Sequence, residues 1–354
     1  MPSNLRILHI TNMFPNSKRP EYGAFIKSQI VSTVKKGIKV EVLFINGYSS
    51  KLNYLRALIK IFKLNFSKKK YDILHAHYGI SGLIARFQIR YKLIVSFCGS
   101  DVLGVPKPTS RDLSLPSKTL GKHWEKRVHS YSTFSPFLIS MLSNLMIISS
   151  QVLCRIVDSV IVKTDEMKEK LGILDAHVIP NGVNYNFFKP KSKRVSRRFL
   201  ELSEDKRYIL FIGNPERTDN RKRYDLAEDS VKILSETFKK AELLVVFGVS
   251  QKHIPLYMNA SDVLLLTSDW EGSPNAVKEA MACNLSIVSV DVGDVRKIIG
   301  DTEGCFLSNR NAKDISKNLV LAIKNGKTTG REDIRHLESS VVADNLIKIY
   351  ESLI

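Results

Sequence analysis

Short apolar runs separated by longer segments of helical period recur along the whole chain, and this alternation is the signature of βαβ units and parallel sheets. Strands are expected at Arg6 to Ile10, Val40 to Phe44, Ile73 to Ala76, Leu93 to Phe97 and Val160 to Val162, and again at Tyr208 to Ile212, Glu242 to Phe247, Val263 to Thr267 and Leu285 to Val290. Helical patterns such as Tyr224 to Lys239 lie between them. A length of 354 residues exceeds one ordinary α/β core and suits two doubly wound sheets. Tyr185 to Arg198, a basic stretch with Pro190 and no sustained apolar period, reads as the linker. The expected domains are then residues 1–186 and 187–340, with a helix over 341–354 that can join the first. Its Leu346, Ile349, Tyr350 and Leu353 fall at helical spacing and need a neighbour to cover them.

Charge divides unevenly between these halves. Residues 1–190 hold 28 Lys and Arg against 11 Asp and Glu, a net +17, whereas residues 191–354 hold 26 against 24. The first half should therefore face something anionic. The four cysteines include no Cys-x-x-Cys pair, which argues against a disulfide scaffold and a thiolate zinc site and points to a reducing compartment, here the cytoplasm. Arg6 and His9 interrupt the apolar N-terminus, which is too short and polar for a signal-peptide core.

The sharpest local pattern starts at strand Val263 to Thr267 and continues through Ser268, Asp269, Trp270, Glu271 and Gly272 into a helix, with Ser273 expected as N-cap and Pro274 at the first helical position. Helix N-termini present free backbone N–H groups and partial positive charge, so Gly272, Ser273, Pro274, Asn275 and Ala276 can cradle a diphosphate. Glu271 lies at the mouth of this helix and Glu279 on its second turn, where a carboxylate can accept hydroxyl hydrogen bonds. The competing reading is a capped surface helix with an ordinary pair of glutamates.

The stretch Glu271-Gly-Ser-Pro-Asn-Ala-Val-Lys-Glu279 resembles the Glu-x7-Glu signature of glycosyltransferase family 4, and Tyr257 to Asp262, Val288 to Gly293, Asp72 to His77, Gly99 to Asp101 and Ile179 to Val183 match further family segments in the right order. The resemblance implies a GT-B fold of two facing Rossmann-like domains and a retaining glycosyltransferase. It implies that Glu279 holds the ribose of a nucleotide-sugar donor and Glu271 the transferred sugar. It also implies an Arg and a Lys on the loop after Tyr208 to Ile212, for which Arg217 and Lys222 are the best matches, with Arg221 and Arg223 flanking the Lys. In the first half it points to Gly23 on a loop near the donor phosphate, and to His77 and Cys98 on the acceptor side. Cys98 stands where many relatives have His, in Ser96-Phe-Cys-Gly-Ser-Asp101, and Asp101 remains as an acceptor-side ligand or base. For Gly23 a plain turn, and for His77 a satisfied structural residue, are the competing readings.

No Asp-x-Asp triplet and no His and Cys grouping of metal spacing occurs, so no metal or other cofactor is expected. The segment Lys51 to Lys70 is a basic amphipathic stretch, suited to peripheral docking on an anionic membrane surface at the inner face of the cell membrane. A second apolar stretch, Phe134 to Val157, preceded by His123 to Arg127, is expected to be buried as a domain helix. The function these readings imply is transfer of a sugar to a membrane-associated, lipid-linked glycan acceptor in surface polysaccharide synthesis. The alternatives are a nucleotide-sugar epimerase of the same fold and a basic nucleic-acid-binding protein, the latter disfavoured because no recognition motif accompanies the charge.

Overall fold

The computed structural model describes residues 5–17, 19, 22–104, 136–214 and 220–354. In chain order these form β1 (Arg6–Thr11), α1 (Ala24–Lys35), β2 (Lys39–Phe44), α2 (Leu52–Lys63), β3 (Ile73–His77), α3 (Gly79–Ala85), β4 (Lys92–Ser96), α4 (Ser100–Leu103), α5 (Pro136–Cys154), β5 (Ser159–Val162), α6 (Asp165–Leu171) and β6 (His177–Val178). There follow α7 (Lys193–Phe199), β7 (Arg207–Ile212), α8 (Tyr224–Thr237), β8 (Ala241–Val246), α9 (Ile254–Ala260), β9 (Val263–Leu266), α10 (Asn275–Ala282), β10 (Ser286–Val290), α11 (Val295–Ile299), β11 (Cys305–Ser308), α12 (Ala312–Asn325), α13 (Gly330–Asp333) and α14 (Ser339–Ser352). The described residues of Met1–Pro106, Leu138–Gly182 and Leu337–Ile354 form one compact unit, and those of Val183–His336 a second.

Each unit is a doubly wound parallel sheet. The first has strand order β2-β1-β3-β4-β5-β6 and the second β11-β10-β9-β7-β8. Covering both faces with helices explains why β3, β9 and β10 are buried along their whole length rather than in alternation. Strand order reverses beside β1 in the first unit and beside β7 in the second, and ligands of such sheets bind at the carboxyl ends near these points. Strands β6 and β11 have no counterpart in the sequence reading, being short edge strands with weak apolar pattern.

The C-terminal helix α14 belongs to the first unit. Val342, Leu346, Ile349 and Tyr350 pack on Ile7, Ile73, Ile94 and Ile161 of the sheet. Truncating one such side chain, Leu346→Ala for example, costs about 2–5 kcal/mol. The stretch expected as a linker is instead fastened into the second unit: Tyr185 and Phe188 are buried, and Arg331 donates to the Tyr185 and Phe188 carbonyls at 2.9 and 2.7 Å. Arg197 on α7 is likewise buried, donating to Asp262 Oδ2 at 2.8 Å. Low hydropathy concealed this because the anchors are aromatic rings and a guanidinium rather than an aliphatic stripe.

Register places His9 of β1 opposite His75 of β3 and Thr11 opposite His77. The two-residue period then aligns His9, His75 and His77 on one face, all fully buried. His9 Nδ1 meets His77 Nε2 at 2.8 Å, and His75 meets Tyr350 Oη and Ser96 Oγ, each at 2.7 Å. One ring nitrogen of each histidine lies within 4.8 Å of one ring nitrogen of the other two, a juxtaposition invisible in sequence because it joins two strands. Burial pushes the His9 pKa down to about 3 and holds His75 and His77 well below 6.5. The folded chain thus leaves these rings neutral where the unfolded chain binds protons, so stability is full above pH 6.5 and is lost as pH falls below it. Each ring contributes a slope of about 1.4 kcal/mol per pH unit. Thermal unfolding should therefore drop steeply between about pH 7 and pH 5, and a His75→Gln variant should show a shallower drop; a flat profile in the wild type contradicts the neutral cluster.

Candidate active site

In the second unit, the loop from β9 to α10 is pinned to the segment before α8. Thr267 Oγ1 donates to the Lys222 and Arg223 carbonyls at 2.8 and 3.0 Å, and the Asp269 amide donates to the Arg221 carbonyl at 2.8 Å. The Arg221 guanidinium lies 5.0 Å over the Trp270 ring. These ties bring Glu271 onto the cations: its Oε1 accepts from Lys222 Nζ at 2.6 Å and Ser268 Oγ at 3.0 Å, and its Oε2 from Arg221 Nη1 at 3.0 Å. With the Glu271 side chain only 11% exposed, these pairs are poorly screened and stronger than surface ion pairs. The three consecutive cations therefore part company. Lys222 and Arg221 face Glu271, whereas Arg223 pairs with Asp225 and Asp269. Arg217 lies outside the described residues.

The expected cap of α10 is corrected. Pro274 occupies the N-cap position with φ −68° and ψ 115°, the helix starts at Asn275, and no side chain caps it. Ser273 is engaged elsewhere, its Oγ accepting from Lys278 Nζ at 2.7 Å. Lys278 is 1% exposed, so a buried ammonium sits behind the loop Gly272 to Pro274. Asp294, whose pKa burial raises, hydrogen-bonds the same Ser273. Its amide donates to the Gly272 carbonyl at 3.2 Å, and Gly293 has φ +56° where a Cβ would collide with the Gly272 and Glu271 carbonyls. Sequence reading missed Lys278, Gly293 and Asp294 as supports of this loop; a glycine three residues past the end of β10 was the one available signal. Glu279 keeps partial exposure, yet burial of its carboxyl pushes its pKa up to about 7, against a hydrogen bond from Gln251.

The first unit presents different chemistry. Gly23 is the N-cap of α1 at φ +72°, and a Cβ there would strike the Met13 carbonyl, so the turn alone demands glycine. Asp101, expected as an acceptor-side ligand or base, is 1% exposed, and its carboxylate accepts from the Gly79, Cys98 and Gly99 amides at 3.0, 3.1 and 2.9 Å. It holds the loop after β4 against α3. His77, expected on the acceptor side, is fully buried with its ring against His9. Cys98 directs its thiol to the Ser96 carbonyl at 3.6 Å, and burial pushes its pKa up to about 12. Lys163, absent from the sequence reading, is buried beside this loop with its ammonium on the Ile179 carbonyl at 3.3 Å.

Residues 228–335 match the family model "Glycosyl transferases group 1", and residues 27–120 match "Glycosyl transferase 4-like". The chain is 22% identical to TuaC of Bacillus subtilis (strain 168), named as a teichuronic acid biosynthesis glycosyltransferase, over 88% of each protein. It is 23% identical to the UDP-Gal:alpha-D-GlcNAc-diphosphoundecaprenol alpha-1,3-galactosyltransferase of Escherichia coli, over 77% of this chain and 71% of that one. Sucrose-phosphate synthase of Thermosynechococcus elongatus shares the fold, with a TM-score of 0.69 and 14% identity over 99% of both chains. The matches favour glycosyl transfer over the epimerase reading.

Because Gly293 combines a positive φ with backbone contact to Gly272, Gly293→Ala should displace Glu271 and lower activity by roughly tenfold or more, for a stability cost of only about 1–3 kcal/mol. Thermal unfolding alongside initial rates checks this, and wild-type rates in a folded Gly293→Ala protein contradict it.

Proposed function

We propose that this chain, which belongs to the group 1 glycosyltransferases and has the GT-B fold, moves a hexosyl group from a nucleotide-sugar donor to a lipid-linked glycan acceptor with retention of configuration and without a bound metal. The observation that carries the reading is the clamp of Lys222 and Arg221 on Glu271 at the start of α10. A diphosphate arriving at that helix N-terminus is a stronger partner for the two cations than a carboxylate is. It takes them over, and Glu271 is released to hydroxyls of the sugar. Glu279 accepts the ribose hydroxyls. As the glycosidic bond breaks, charge grows on the leaving diphosphate, and Lys222, Arg221 and the helix N-terminus meet it already oriented. Arg217 joins them by its place in the sequence. The departing phosphate oxygen, on the same face of the sugar, accepts the acceptor's proton, so no enzyme base such as Asp101 is needed.

The donor and acceptor classes draw on the relatives. The Escherichia coli protein's name specifies a UDP-sugar donor and a diphosphoundecaprenol acceptor, and TuaC is named for a surface polymer. An acceptor of that kind is held in a membrane. The net +17 of the first half, with Lys51, Arg56, Lys60 and Lys63 on or beside α2, supports peripheral association with an anionic inner membrane face, each cation contributing about 1 kcal/mol. No helix among the described residues is long and apolar enough to cross a membrane.

Two outcomes test the site. Glu271→Ala should lower kcat by roughly a hundredfold with little change in KM, and Glu279→Ala should chiefly raise the donor KM. An ionised Glu279 is the better acceptor, so donor affinity in the wild type should strengthen as pH rises through about 7, and Glu279→Gln should flatten that profile. Wild-type kinetics in both variants contradict the assignment. Independently, activity should persist in EDTA; loss that magnesium or manganese restores contradicts a cationic side-chain site.

A further inference from the structure

Helix α5, expected to be a buried domain helix, has a second, exposed apolar side. It carries no charged residue in its 19 positions. Its inward side mixes serines with core residues: Ser143 and Ser150 are buried together with Leu153 and Cys154, and Ser150 Oγ donates to the Asp101 carbonyl at 2.8 Å. Met141, Leu145, Ile148 and Val152 form the outward stripe, continued by Ile156 past the helix end, with Leu145 58% exposed. An ordinary surface helix is polar on its outward side.

Helix α3 buries Ile84 and Ala85 in the same core and also leaves large apolar residues outside. Gly79, Ser81 and Gly82 face inward, where a Cβ on Gly82 would crowd Leu153 of α5 and Val95 of β4, while Ile80 and Leu83 face out. Phe87 and Ile89 follow, the latter 82% exposed. Asn65, just after α2, hydrogen-bonds the Phe87 carbonyl and the Ile89 amide, joining this ridge to α2. There Leu52, Leu55, Ile59 and Phe62 form an exposed stripe while Ala57 and Ile61 are buried. The three helices are successive neighbours over a single core on one face of the first sheet. All three helices bury one apolar side, with Ile61, Ile84 and Leu153 in the core, and leave a second apolar side exposed, and exposed apolar surface of this extent marks an interaction site.

We propose that the outward surface of α2, α3 and α5 is an insertion face that seats in the hydrocarbon edge of an anionic bilayer, with α5 as an uncharged anchor and α2 as the basic rim. Charge complementarity selects this occupant. Lys51, Arg56, Lys60 and Lys63 on α2 and Arg86 and Arg90 after α3 border the apolar stripes within a half of net +17, so a second copy would bring like charge to the same rim. The inference deepens the reading of a membrane-held acceptor, and vesicle binding is measured without substrate, so it stands or falls apart from the transfer reaction.

The full chain is sedimented with phosphatidylglycerol and phosphatidylethanolamine vesicles at about 0.1 M and about 1 M NaCl, where the screening length falls from roughly 10 Å to 3 Å. Wild type should weaken with salt yet remain partly bound. Leu145→Ser with Ile148→Ser and Val152→Ser should lower the high-salt partition by roughly tenfold or more, with thermal unfolding unchanged or raised because these residues are exposed. Phe87→Ser with Ile89→Ser, at a separate place on the face, should act in the same direction. Ile148→Trp should be quenched by lipids brominated on the acyl chain. Undiminished high-salt binding by both variants, or complete release of wild type at high salt, overturns the proposal. So does a dimer that the same substitutions dissociate in a wild type that binds no vesicles, which would make the face a subunit contact.

Discussion

The short ion pairs of Glu271 with Lys222 and Arg221 are the interaction on which the second unit's site depends. An anion at the start of a parallel-sheet helix, held by two cations in a half-buried setting, is chemically a placeholder for a phosphate. Everything around it serves to keep the loop in place: Thr267 on two carbonyls, Trp270 under Arg221, and Gly293 against Gly272. The buried Lys278 and Asp294 meeting at Ser273 reinforce this loop from behind. On the proposed function, Glu271 is the internal counter-charge that the donor diphosphate displaces.

The first unit uses buried polar groups for another purpose. Asp101 gathers three amides, the histidines of β1 and β3 pack into a neutral cluster, and Tyr350 ties that cluster to the C-terminal helix. These groups fix the carboxyl ends of β3 and β4, and none of them is exposed. The desolvation of Asp101 and His75 is offset by hydrogen bonds within the unit, whereas His9 Nε2 and His77 Nδ1 are buried with no partner and favour the neutral rings.

Much of this architecture was legible in sequence. Strand runs such as Ile73 to Ala76 and Val263 to Thr267 fall within a residue of the observed strands, since a parallel sheet covered on both faces writes itself as continuous apolar segments. The Glu271 to Glu279 helix was legible too, but its cap was not: Ser273 looked like an N-cap because local pattern cannot reveal Lys278 reaching back to it. The burial of Asp101 and His77 was hidden for the same reason, as the Gly79 amide and the His9 ring that meet them come from other elements of the unit. Helix α5 packs on the core as a domain helix through Leu153 and Cys154, but its exposed face of Met141, Leu145, Ile148 and Val152 was not legible, because apolar composition says that a face must be covered and not which face is left out. The serines that turn inward, Ser143 and Ser150, carry that information only once the neighbours are known.

The most direct test of the central claim is UDP affinity, measured calorimetrically in EDTA, for wild type and Glu271→Gln. If Glu271 is the internal competitor for Lys222 and Arg221, wild type binds UDP without metal and Glu271→Gln, which keeps the shape but loses the charge, binds it more tightly. Equal or weaker binding by Glu271→Gln, or no binding by wild type until a divalent cation is added, would contradict the account.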